Sequence, residues 1–142
     1  MIAGAILGID PGTRKVGFAV ASDAASAALA LGVEPVETLA QRLRALDALH
    51  AIRAVALGGG THAAHVARIV AALGVPVHVV DETDTTYRAR ALYFADHPPA
   101  GWRRLIPLGL QLPPRPVDDY AALLIARRFL EQEVARDGSS VR

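Results

Sequence analysis

The chain has no cysteine among its 142 residues, which excludes a disulfide framework, a thiolate metal site and a cysteine nucleophile. No apolar run approaches the roughly 18 residues that a membrane span needs, so no membrane partner is expected. No basic region precedes the first apolar stretch. A signal peptide is therefore not expected, and a cytoplasmic setting is. Lysine is almost missing, Lys15 being the single example, so arginine carries nearly all the positive charge. There is no serine–histidine–aspartate pattern, no internal repeat and no interdomain linker.

What is present is an apolar chain, 52% hydrophobic with a mean hydropathy of +0.29. That length and composition suit one domain with a real core. The expected division is a single domain over residues 1–136 and a frayed tail over 137–142. Net charge is +1, which by itself favours no partner. Its distribution says more: residues 88–128 hold seven arginines against three acids, a local excess that attracts phosphate or simply solvates a helix face.

The apolar spacing predicts strands over 2–10 and 16–22, joined by a short turn, and a third over 27–33. Thr38-Leu39-Ala40-Gln41 reads as a capping box opening a helix with Leu39, Leu43, Leu46, Leu49 and Ile52 along one side. A strand over 53–58, a glycine turn at Gly58–Gly60 and a helix over 62–73 follow. A strand over 75–80 then ends on Asp81-Glu82, and Asp84 or Thr85 caps a helix reaching about Phe94. Residues 96–116 contain six of the nine prolines and read as a long loop, before a closing helix from Val117 to about Arg136. This order predicts an α/β fold: a mixed five-stranded sheet, its first three strands an antiparallel meander and the rest parallel, with helices on both faces. Strands one, four and five are expected to be central, with their carboxyl ends on the edge where open sheets bind ligands.

Three segments deliver acids to element boundaries. Asp10 ends the first strand, Asp81-Glu82 ends the last, and Asp118-Asp119 opens the final helix. Taken singly, each has a plain structural reading as a turn former, strand exit or N-cap. Taken together they are carboxylates that raise one another's pKa unless cations balance them. Hard divalent ions, Mg²⁺ or Mn²⁺, suit oxygen ligands without histidine or cysteine. Two such ions about 3.5–4 Å apart can activate water and stabilise the leaving oxygen of a phosphodiester. Gly12, just past Asp10, would let a backbone come close to a ligand. Arg14 and Lys15 in the same turn could contact a flanking phosphate. Trp102-Arg103-Arg104 combines a stacking face with two cations, a pairing that suits unstacked bases, although a tryptophan can equally pin a loop to the core.

With these residues in view, the chain resembles the YqgF/RuvX family of RNase H-like Holliday-junction resolvases and pre-16S rRNA processing nucleases, over residues 5 to about 131. Gly8-Ile9-Asp10-Pro11-Gly12-Thr13-Arg14-Lys15-Val16-Gly17 looks like that family's first motif. Val80-Asp81-Glu82 with Thr85-Thr86 looks like the second, and Val117-Asp118-Asp119-Tyr120-Ala121-Ala122 like the third. The resemblance implies an RNase H-like fold and metal-dependent phosphodiester hydrolysis, with Asp10, Glu82 and Asp118 as catalytic metal ligands. Asp119 and Asp81 would tune or replace a ligand. It also implies a nucleic-acid partner, either an rRNA precursor cut at its 5′ end or branched DNA. Paired cuts in a junction would call for a homodimer. Three departures from the pattern stand out: Thr83 where the family has arginine, Gly-Gly-Gly-Thr where it tends to Gly-Leu-Pro, and Leu112-Pro113-Pro114-Arg115-Pro116 before the third acid.

Two other readings share these features. A non-catalytic RNase H-like nucleic-acid binder or ribosome-assembly factor could carry the same acids. Actin-like ATPases and sugar kinases also open on Gly-Ile-Asp-x-Gly-Thr, but they need two such lobes and 142 residues supply one.

Overall fold

The computed structural model describes residues 4–60, 63–81, 85–99, 101, 105 and 118–140. Five strands form one sheet: β1 (Ala5–Asp10), β2 (Lys15–Ala21), β3 (Ala30–Pro35), β4 (Ile52–Gly58) and β5 (Val77–Val80). Among the described residues four α-helices accompany them: α1 (Val36–His50), α2 (Ala63–Val70), α3 (Thr85–Asp96) and α4 (Asp118–Ser140). The sheet order is β3-β2-β1-β4-β5. β1–β2 and β2–β3 pair antiparallel, whereas β1–β4 and β4–β5 pair parallel. The meander and the parallel half are therefore as expected.

The expected central position holds for β1 and β4 but not for β5, which is an edge strand with Val79 71% exposed. Apolar content in a four-residue strand does not reveal how many of its sides are paired. β3 begins three residues later than expected. The intervening residues form a turn in which Asp23 Oδ1 accepts the N–H groups of Ala25 and Ser26, and the Leu29 N–H returns to the Val20 carbonyl.

The two faces of the sheet differ in bulk. Leu7 and Ile9 of β1, Val16, Phe18 and Val20 of β2, and Val55 and Leu57 of β4 pack against Leu39, Leu43 and Leu46 of α1 and Val66 and Val70 of α2. The opposite face alternates into Ile6, Ala19, Ala21, Ala54 and Ala56, and it receives Ala122, Ile125, Ala126 and Phe129 of α4. Period-two alternation separates the two sets. Large side chains hold α1 and α2 away from the sheet, while small ones let α4 lie close to it.

The capping box does not form. Helix α1 starts at Val36, with Pro35 at its N-cap and no side-chain cap bond, because the Val36 N–H is taken by the Arg14 carbonyl at 2.8 Å. Thr38 instead donates its hydroxyl to Glu34 Oε2 (2.5 Å), and Arg42 Nε donates to Glu34 Oε1 (2.9 Å). These two bonds, the threonine's first, hold the Glu34 carboxyl below the usual range. Leu49 is also not part of the inward stripe. It is 77% exposed, since α1 ends at the left-handed Ala51 and Ile52 enters the core from β4.

Helix α3 packs on the start of α4 through Ala89, Tyr93, Phe94, Tyr120 and Ala121. The Tyr120 hydroxyl donates to Asp96 Oδ2 at 3.0 Å, and its ring meets Tyr93 edge-on at 5.8 Å. At the other end of α4, Glu133 accepts both terminal nitrogens of Arg53 in a bidentate pair. Helix α4 is thus fixed near both ends to different parts of the domain.

Candidate functional site

Asp10 is the last residue of β1 and half-buried, at the edge of the sheet where β4 and β5 also end. Its register partner across the antiparallel pair is Gly17. Opposed residues in such a pair share a face and lie about 4.5–5.5 Å apart between Cα atoms. Gly8, two residues before Asp10, lies on that same face.

Against these glycines α4 touches backbone directly. A Cβ built on Gly8 would fall 2.1 Å from the Ala122 carbonyl oxygen and 2.8 Å from the Ala126 Cβ. One built on Gly17 would fall 2.1 Å from the Asp118 carbonyl oxygen and 2.9 Å from its Cβ. No side chain fits at either position unless the helix moves. The two glycines set how near α4 lies to the sheet, and they bring its first residue, Asp118, against the register partner of Asp10. Two acidic residues far apart in sequence thus lie at one edge of the sheet. The amino end of α4 turns the positive pole of its dipole towards this edge, which favours ionised acids.

Asp119 is held differently. It is only 5% exposed, and its Oδ1 accepts the Tyr120 backbone N–H at 3.0 Å. Its carboxylate is engaged with the first turn of α4, beside the aromatic contact with α3.

At the neighbouring strand ends, the Gly59 N–H donates to the Val80 carbonyl at 3.2 Å, which ties the glycine turn after β4 to the exit of β5. Val80 is buried on the α4 face, and Asp81 beyond it is exposed, its carbonyl accepting a guanidinium hydrogen bond from Arg128. Glu82, two residues after Val80, lies outside the described residues, as do Thr83, Trp102, Arg103 and Arg104. Among the described residues no group of three or more histidines, aspartates and glutamates could hold a metal ion. The fit of an ion here rests on donor chemistry: Asp10 and Asp118 would supply hard carboxylate oxygens, which suit Mg²⁺ or Mn²⁺.

Arg14, in the β1–β2 turn, and Lys15, the first residue of β2, are both exposed. The Arg14 backbone is anchored by the Val36 N–H, so this basic turn is fixed to the start of α1. The close approach expected at Gly12 is made within the protein: a Cβ there would sit 2.1 Å from the Lys15 carbonyl oxygen. Gly12 therefore closes the turn itself.

Sequence reading missed the aromatic contact between α3 and α4 and the seating of α4 on glycine. The second left a visible signal in Ile6-Leu7-Gly8-Ile9 and Ala54-Val55-Ala56-Leu57-Gly58, where small and large residues alternate. Such alternation marks one face of a strand for close approach. The aromatic contact joins residues 27 positions apart and leaves no local pattern.

No family model matches the chain, and no curated protein matches it. Among solved structures, Thermus thermophilus RuvC in complex with a Holliday junction substrate superimposes with a TM-score of 0.58 and 24% identity, covering 94% of this chain and 96% of that one. A second Thermus thermophilus RuvC structure gives a TM-score of 0.50 at 24% identity, over 87% of this chain and 90% of that one. The mixed five-stranded sheet with its helices is the RNase H-like α/β fold. No helix among the described residues is long and apolar enough to cross a membrane.

Proposed function

We propose that the protein is a divalent-metal-dependent nuclease that hydrolyses phosphodiester bonds in structured nucleic acid, as a member of the YqgF/RuvX family. The observation that carries this reading is the seating of Asp118 on Gly17, the register partner of Asp10. An RNase H-like sheet with two acids at its carboxyl edge is an arrangement suited to phosphodiester chemistry. The RuvC complex with a Holliday junction substrate supports branched DNA as one substrate class. Cytoplasmic processing of the pre-16S rRNA 5′ end is the other substrate that the sequence resemblance favours.

In this reading Asp10, Glu82 and Asp118 hold Mg²⁺ or Mn²⁺, with Asp119 as a further ligand. Such ions would supply an activated water and neutralise charge on the phosphodiester. The chain's own part is to fix the carboxylates. Asp10 is set by the β1–β2 register, and Asp118 by the depth to which α4 sits on glycine. Arg14 and Lys15 offer cations to a neighbouring phosphate from an anchored turn. Trp102, Arg103 and Arg104 are proposed as the stacking and backbone contacts of the same substrate.

The test is cleavage of labelled four-way DNA junctions, duplexes and pre-16S rRNA 5′-end fragments with Mn²⁺ or Mg²⁺. Cleavage by the wild-type chain, its loss in Asp10→Asn and unchanged binding by that variant are the expected results. A wild-type chain that binds these nucleic acids but cuts none of them would make the protein a binding or assembly factor.

A further inference from the structure

Away from the acids, a cavity of ≈ 180 Å³ opens between α3, α4 and the β2–β3 turn, lined by Arg88, Arg127, Arg128, Leu124, Ala24 and Glu131. Among the described residues, three arginines thus line one small cavity against a single carboxylate. Two of them are already positioned: Arg127 Nη2 donates to the Ser26 carbonyl at 3.1 Å, and Arg128 Nη1 donates to the Asp81 carbonyl. The Arg127 Nε–H is buried and has no acceptor among the described residues. A buried donor of this kind is costly to leave unmet, and charged acceptors make the stronger bonds to a guanidinium. The volume is below the roughly 300–1,000 Å³ typical of small-molecule sites. It suits a phosphate with a few waters better than a whole nucleotide.

We infer that Arg88, Arg127 and Arg128 form a second phosphate-binding pocket that grips the nucleic-acid backbone away from the cleavage centre. This rests on the nuclease reading above for its ligand, a phosphodiester of the substrate strand. Arg128 lies ten residues along α4 from Asp118, about 15 Å at 1.5 Å per residue. The pocket would therefore hold a phosphate a few nucleotides from the scissile one. The Arg128 bond to Asp81 also links the pocket to the segment that carries Glu82. A strand held there would steady the β5 exit as well as the substrate.

The experiment measures binding of the full chain to a labelled four-way junction and to a labelled RNA hairpin between 50 and 200 mM salt. It uses wild type, Arg88→Gln, Arg128→Gln and Arg127→Lys. Each lost phosphate contact lowers the slope of log affinity against log salt by about 0.7–0.9, a loss of roughly threefold at the low-salt end relative to the high. Arg88 is exposed, so Arg88→Gln reports on binding without a folding complication. In parallel, the arginine Nε–H resonances of the wild-type chain are followed as inorganic phosphate is added, and the Arg127 signal is expected to shift. Lower slopes in Arg88→Gln and Arg128→Gln, with that shift, support the pocket. Unchanged slopes in both, or no binding of either nucleic acid by wild type, overturn it. Binding that stays sensitive to these variants while Mn²⁺-dependent cleavage is absent leaves the pocket standing and removes the nuclease reading alone.

Discussion

Adding one methyl group at Gly17 tests how the site is built. In Gly17→Ala the new Cβ would sit 2.1 Å from the Asp118 carbonyl oxygen and 2.4 Å from its carbonyl carbon. Ordinary contact begins at 3.4 Å, so the start of α4 must retreat by about 1.3 Å or the β1–β2 edge must bend by as much. The obstacle is helix backbone, which cannot rotate away like a side-chain tip. Overpacking of this kind costs about 1–3 kcal/mol. For a domain of this size, with about 3 °C of Tm per kcal/mol, the fall in Tm is about 3–9 °C by circular dichroism. Asp118 moves with the helix, and a displacement of about 1 Å can cost roughly 10²-fold in rate. The Tm gain on adding Mn²⁺ should also shrink, because a bound ion stabilises only the geometry that holds it. Gly59→Ala is the matched control, its nearest neighbour being the Val79 Cγ1 at an ordinary 3.6 Å. A Gly17→Ala protein that melts within 1 °C of wild type, a margin smaller than about 1 kcal/mol would produce, and responds equally to Mn²⁺ would refute the seating of α4 on Gly17.

Other substitutions probe separate links. Glu133→Gln breaks the mostly buried bidentate pair with Arg53 and should cost about 2 kcal/mol in urea unfolding at neutral pH, between the values for exposed and fully buried pairs. The hydrogen bonds from Arg53 hold the Glu133 carboxyl below its ordinary 4.5, so this stabilisation is present above that value. It is lost as pH falls through the lower folded value, and the wild-type and Glu133→Gln stability curves should converge below pH 4.5. Tyr120→Phe removes the hydroxyl bonded to Asp96 and should cost about 1 kcal/mol of stability, measured by thermal unfolding.

Periodicity made the inward faces of β1, β2, β4 and α1 legible, because alternation and a 3.6-residue stripe are local properties. Leu39, Leu43 and Leu46 were readable in that way. The edge position of β5 was not, since pairing partners come from distant segments and leave no trace in Val77–Val80. The capping box failed for a similar reason: the Arg14 carbonyl, 22 residues upstream of Val36, claimed the N–H at which α1 begins. Asp10 and Asp118 were legible as acids at element boundaries expected to share one site, but the closeness of α4 to the strand beside Asp10 was not. That depends on the depth to which α4 sinks, set by Gly8, Gly17, Ala122 and Ala126 together. Asp119 could not be told from Asp118 without knowing which of the two is buried.

The unequal faces of the sheet bear on how this chain can change over time. On the α1–α2 side, contacts run through long side chains that can repack around a lost or added methylene. On the α4 side the closest contacts, at Gly8 and Gly17, are made by backbone and alanine, which has no rotamer to adjust. Drift in core composition should therefore accumulate on one face while the other stays nearly fixed in volume. Mutations that merely loosen the domain and mutations that misalign Asp118 then fall on opposite sides of a single sheet, and a selection for thermal stability alone would enrich the first set while leaving the second untouched.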